Sequence, residues 1–117
     1  MIDFEIPAEV AELRDRVRRF VAEVAIPAEP RDHGEHGPTP ELRAELQAAA
    51  KEAGVFAPQL PLELGGHGLD HRGSAVILEE SGYGLLGPTA MNCAAPDEGN
   101  MHMLDVIASP EQRRVYL

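Results

Sequence analysis

The sequence predicts an all-α fold, an orthogonal or up-and-down bundle of about five to six helices, built as one domain over residues 1–117. Three observations predict it. The apolar residues are mostly Ala, Leu and Val, with three Phe, two Tyr and no Trp, and Ala and Leu are among the best helix formers. The apolar positions recur at steps of three and four, the helical period. Between these stretches stand Pro and Gly, the residues that start and stop helices.

The first helix is expected to begin at Pro7, since proline suits the first helical position. Val10, Leu13, Val17, Val21 and Val24 form one stripe, and Phe20 widens it. Glu12–Arg16 and Asp15–Arg19 are acid-first i,i+4 pairs on the opposite face. Pro27 and Pro30 are expected to end this helix. Residues 28–38 are polar and read as a loop. Thr39 then caps a second helix with Pro40 as its first residue. Leu42, Leu46, Ala49, Ala50 and Ala53 make its apolar face, and Gly54 is placed to close it in a left-handed conformation.

Pro58 and Pro61 exclude a regular helix over Val55–Leu64, leaving a short extended or one-turn element. Gly65, Gly66 and Gly68 permit a sharp turn. Asp70 caps a third helix that runs to Gly82. Its consecutive Ala75, Val76, Ile77 and Leu78 suggest a central helix touched on several sides. Residues 85–96 read as partly helical. A further helix follows Pro96, with Met101, Leu104, Ile107 and Ala108 expected inward. Ser109-Pro110-Glu111-Gln112 carries the capping-box spacing of a last helix.

Charge and cysteine content exclude several classes. With 20 acidic and 10 basic residues the net charge is −10, which repels nucleic acid and anionic membrane surfaces. The acids of the N-terminus, Met1-Ile2-Asp3-Phe4-Glu5, do not suit a targeting peptide, and no apolar run reaches a membrane span. Cys93 is the single cysteine, so no internal disulfide forms, and a cytoplasmic, reducing location is expected.

The segment Pro61-Leu62-Glu63-Leu64-Gly65-Gly66-His67-Gly68-Leu69 resembles the P-x-E-[YL]-G-G-x-G-L turn of acyl-CoA dehydrogenases. Gly54-Val55-Phe56-Ala57-Pro58 is similar to that family's approach to the turn. Ile77-Leu78-Glu79-Glu80-Ser81-Gly82-Tyr83-Gly84 resembles its following helix end. Asp3-Phe4-Glu5-Ile6, the Arg14–Phe20 stretch, and Ser109-Pro110-Glu111-Gln112 through Tyr116-Leu117 fit the same pattern, in the same order, along nearly the whole chain. Ala95-Pro96-Asp97-Glu98-Gly99-Asn100-Met101 resembles a subgroup whose animal members carry an added phosphotransferase-like domain.

The resemblance implies the N-terminal helical domain of an enzyme that also has a middle β domain and a C-terminal helical bundle. It implies FAD in the complete enzyme, an acyl-CoA substrate and a homo-oligomer. In the family a glutamate removes the α-proton and hydride leaves the β-carbon for the flavin. The catalytic base and the middle-domain strand near the flavin have no counterpart in 1–117. The chain alone is therefore expected to hold no cofactor and no catalytic residue, as a fragment, a truncated gene product or half of a split enzyme. The alternative is a non-catalytic helical interaction module derived from such an enzyme.

The resemblance places the acyl-chain wall at Thr89 through Ala95, with Thr89, Met91, Asn92, Cys93, Ala94 and Ala95 as substrate-binding candidates. The residues allow two readings: small and flexible apolar groups can wall an alkyl pocket, or they can pack against neighbouring helices. Gly65-Gly66-His67-Gly68 fails the dinucleotide pattern because His71 stands where the last glycine belongs, so it reads as a structural turn. Asp32, His33, Glu35 and His36 offer metal-ligand chemistry, but in a glycine-bearing loop they read as solvated. Cys93 and His102 are a nucleophile and base without an orienting acid. Glu79 and Glu80, being adjacent on a helix, are no catalytic pair. Arg14, Arg18 and Arg19 read as a solvated face.

Overall fold

The computed structural model describes residues 3–117; Met1 and Ile2, the first residues of the acidic N-terminus, lie outside it. Among the described residues there are helices α1 (Ala8–Phe20), α2 (Ile26–Ala28), α3 (Pro40–Glu52), α4 (His71–Ser81), α5 (Gly87–Ala90), α6 (Asp97–Ile107) and α7 (Pro110–Tyr116), and no β-strand. The all-α expectation holds.

Helix α1 starts one residue after Pro7, which occupies the cap position. Val10, Leu13, Val17 and Phe20 are buried along one stripe. The helix does not stop at Pro27. A π-helical stretch, Val21–Ala25, carries the chain into α2, where Ile26 N–H donates to the Val21 carbonyl five residues back. A proline ring clashes with the carbonyl four residues earlier in a regular α-helix and has no N–H to give. The wider π turn removes that clash, and the helical path continues to a 3-10 turn at Glu29–Arg31. The same turn rotates the stripe, so Val21, Ala25 and Ala28 are buried whereas Val24 is half-buried. Arg31 meets Glu45 through two hydrogen bonds of 2.7 Å, tying this end to α3. Glu29 Oε1 accepts from the Leu85 amide at 2.8 Å.

Thr39 Oγ1 accepts from Leu42 N, and Leu42, Leu46 and Ala50 face the core from α3. Gly54 closes the helix with φ +70°. The next segment is a one-turn element, Leu62–Leu64, ended by Gly65 at φ +85°. A side chain at Gly66 would place its Cβ 1.9 Å from the Leu60 carbonyl oxygen, so only glycine fits.

Asp70 caps α4 by accepting from Gly73 N at 2.7 Å. Helix α4 is not surrounded. Ile77 is fully buried, but Val76 and Leu78 are half-buried and Ala75 is exposed. Four consecutive apolar residues point in different directions on a helix, and α4 packs mainly against α1 on one side. The pairing on α1 also differs from expectation. Glu12–Arg16 forms at 3.3 Å, but Asp15 turns to Arg14 and Arg18, not Arg19. Arg18 reaches across to α4, donating to both carboxylate oxygens of the buried Glu80 at 2.8 and 3.1 Å.

Helices α6 and α7 lie against each other, and neither contributes a buried residue. Met101 and Leu104 are half-buried as their spacing suggests, but Ile107 is 71 % exposed and does not point inward. The capping box at Ser109 forms in both directions. Among the described residues no helix is long and apolar enough to cross a membrane.

Candidate functional site

The segment joining α5 to α6 is held by donors from elsewhere in the chain. The Ala57 amide donates to the Met91 carbonyl at 2.7 Å. Gln59 Nε2 donates to the Asn92 carbonyl at 2.9 Å, and Gln47 Nε2 to that of Thr89 at 3.4 Å. Two non-glycine residues at this junction, Ala57 and Asn92, have φ of +45° and +54°. Asparagine tolerates this region better than alanine. The strain at both positions is offset by the hydrogen bonds that straddle them.

This left-handed turn sorts the candidates into two groups. Met91 is fully buried and Cys93 nearly so, both in the central cluster with Val17, Ile77 and Leu86. Thr89, Asn92, Ala94 and Ala95 line a cleft of about 160 Å³ with Arg43 and Asp97. The side chains named by the sequence are thus not all brought together: Met91 and Cys93 anchor the segment, and the other four face outward. Sequence periodicity could not separate them, because the turn that divides them depends on a single positive φ.

Cys93 and His102 do not meet. The Cys93 thiol lies 3.7 Å from Ser81 Oγ, whose own hydroxyl donates to the Leu78 carbonyl at 2.7 Å. Burial pushes this thiol above its usual range, which disfavours the nucleophilic thiolate. His102 instead lines a cleft between α4 and α6. Asp32 accepts from Gly34 N in a local turn, and among the described residues no His, Cys, Asp and Glu side chains cluster in a metal-holding group of three or more. Glu80 is engaged with Arg18 while Glu79 is exposed, so the arginine face is a helix–helix tie as well as a solvated surface.

The glycine turn is a closed structural knot. Gly65 N–H donates to Leu62, Gly66 to Pro61, His67 to Pro58 and Gly68 to Leu60. With these four amides satisfied inside the turn, none is left to cradle a diphosphate. The residues present therefore do not fit the phosphates of FAD at this turn. His67 adds a further pin: its Nε2 donates to the Gly54 carbonyl at 2.9 Å, which fixes the tautomer. Sequence reasoning identified the turn but not this histidine, whose only signal is its place inside the glycine run.

The described residues thus form a bundle of short helices, knotted by a glycine turn and with two left-handed non-glycine residues beside the α5–α6 connector. A solved structure, of a putative acyl-CoA dehydrogenase from Mycobacterium abscessus, superposes with a TM-score of 0.79 at 35 % identity, over 97 % of this chain and 31 % of that one. Residues 7–117 match the family model for the acyl-CoA dehydrogenase N-terminal domain, and the chain belongs to that family. The probable acyl-CoA dehydrogenase FadE2 of Mycobacterium tuberculosis is 31 % identical over 99 % of this chain and 30 % of its own length. Acyl-CoA dehydrogenase family member 11 of Gallus gallus is 32 % identical over 87 % of this chain and 14 % of its own. The (2S)-methylsuccinyl-CoA dehydrogenase of Cereibacter sphaeroides is 35 % identical over 68 % and 14 %. The chain thus spans less than a third of the length of these relatives.

Proposed function

We propose that this chain supplies one wall of the acyl-binding site of a flavin-dependent acyl-CoA dehydrogenase, an enzyme that desaturates acyl-CoA thioesters between the α and β carbons. The observation that carries the proposal is the clamped turn at Asn92. It holds Thr89, Asn92, Ala94 and Ala95 on one cleft while Met91 and Cys93 root the same segment in the core. Small side chains leave room for an alkyl chain, and the rooted turn fixes where that room ends. The cleft of about 160 Å³ is below the roughly 300–1,000 Å³ of a complete small-molecule site, which suits a single wall closed by other elements.

On this reading the chain's residues bind and exclude water; none takes the proton or the hydride. FAD, the acyl-CoA and the remaining domains belong to the complete, oligomeric enzyme, and the lone chain is colourless and inactive.

The test is a chimera in which this chain replaces the matched residues of the Mycobacterium tuberculosis relative. Flavin content and acyl-CoA oxidation are measured across chain lengths. The chimera should turn over, and Ala94→Leu should move its preference towards shorter acyl chains with flavin content unchanged. A chimera that folds and holds flavin without turnover, or an Ala94→Leu variant with the same chain-length profile, would refute the wall assignment. In the first case the chain would be better read as a helical interaction module.

A further inference from the structure

Between α4 and α6 lies a cleft of about 410 Å³, within the roughly 300–1,000 Å³ of small-molecule sites. Its walls come from the stretch Gln59 to Asp105, and it shares no lining residue with the cleft beside Asn92. Leu60, Leu69 and Leu78 give it an apolar floor. Around the floor stand Gln59, His71, Ser74, Glu98, His102 and Asp105, and among the described residues no Lys or Arg lines the cleft. Asp105 is tied to Arg113 at 3.5 Å. Glu98 is half-buried and forms no ion pair among the described residues. Gln59 is the independent sign of a missing donor. Its Nε2 donates to the Asn92 carbonyl at 2.9 Å, and its Oε1 is buried without a hydrogen-bond partner. Turning the amide over would set Oε1 against that carbonyl, two acceptors face to face. The acceptor is therefore fixed in place, and a buried acceptor is costly until something donates to it.

We propose that this cleft binds a primary ammonium with a compact apolar body, its charge held by Glu98, an N–H given to Gln59 and its body on the leucine floor. An ammonium carries three donors and no acceptor. That complements a wall with a free carboxylate, an orphaned amide oxygen and the Ser74 hydroxyl. An anion in the same place would meet Glu98 and Asp105 with no lining cation to offset them. The net charge of −10 acts in the same sense at longer range, drawing cations and repelling anions. This site does not depend on the acyl-wall reading.

The test is an NMR titration of the full chain with benzylammonium. Benzyl alcohol keeps the shape without the charge, benzoate reverses the charge, and the ammonium ion lacks the body. Benzylammonium should shift the Gln59 side-chain amide and the Ser74, Leu78 and Glu98 backbone amides saturably, and each control should bind more weakly. Glu98→Gln should weaken benzylammonium about tenfold, the factor of one lost charge-assisted contact. Ala75→Leu enlarges a side chain of the cleft wall and should abolish the saturable shifts. Ala75 is exposed, so this variant should melt with the parent and keeps the test open should Glu98→Gln fail to fold. Shifts that fail to saturate would overturn the site and leave Gln59 to water alone. Either folded variant binding like the parent would overturn it too. Benzyl alcohol binding as tightly as benzylammonium would reduce it to an apolar groove, and benzoate doing so would reverse its sign. The ammonium ion binding as tightly would reduce it to an adventitious ion only.

Discussion

Ile77 and Leu78 are adjacent aliphatic residues on α4, and the fold uses them differently. Ile77 is fully buried, whereas Leu78 is half-buried on the cleft between α4 and α6. Ile77→Ala should therefore cost about 2–5 kcal/mol in chemical denaturation. A charge at Leu78 should cost much less, because part of that side chain reaches water; equal losses at the two sites would show that α4 is buried all round. Cys93 gives a pH signature at the same scale. Its folded thiol titrates above the usual range because burial disfavours the thiolate. The unfolded thiol ionises at about 8.5, so the stability contribution is intact below that pH and is lost as pH rises through the folded value. The stability difference between the parent and Cys93→Ala should shrink from pH 7 to pH 10. A difference that stays constant would mean that the thiol is not shielded.

At the scale of elements, caps and glycines decide. Removing the 2.7 Å bond from Gly73 N with Asp70→Ala should cost about 1 kcal/mol. Gly66→Ala should cost more than the cap, because its Cβ would overlap the Leu60 carbonyl and the turn has no room to shift. Comparing the two midpoints in urea checks the ranking. These local devices were legible in the sequence: Thr39, Gly54, Asp70 and the Ser109 box all do what their residue types suggest. What was not legible depends on distant partners. Arg18 could not be assigned to Glu80 because 62 positions separate them. The division of Thr89–Ala95 into anchors and cleft-lining residues rests on Asn92 adopting a positive φ under the Gln59 clamp. Ile107 sits at inward helical spacing, but among the described residues nothing covers that side of α6.

The whole molecule is more open than its length requires. Its accessible surface is 7561 Å², against about 6,200 Å² from the size scaling of monomeric proteins. Its radius of gyration is 14.5 Å, against about 13.4 Å for a compact chain of this length. The excess fits the α6–α7 pair, where Met103, Val106, Ile107, Val115 and Tyr116 are each at least half exposed. Ile107→Asp should leave thermal stability within about 0.5 kcal/mol of the parent; a collapse in melting temperature would place α6 inside the core. The spine beneath this shape is the path from Ala8 to Arg31, and its π turn carries a consequence for chain length. Deleting Ala22 would turn the five-residue step from Val21 to Ile26 into a four-residue one, and the α turn so formed would bring the Pro27 ring against the carbonyl four residues before it. The path would have to kink there to relieve the ring, loosening Glu29 from the Leu85 amide and Arg31 from Glu45. The shorter helix would hold the poorer protein.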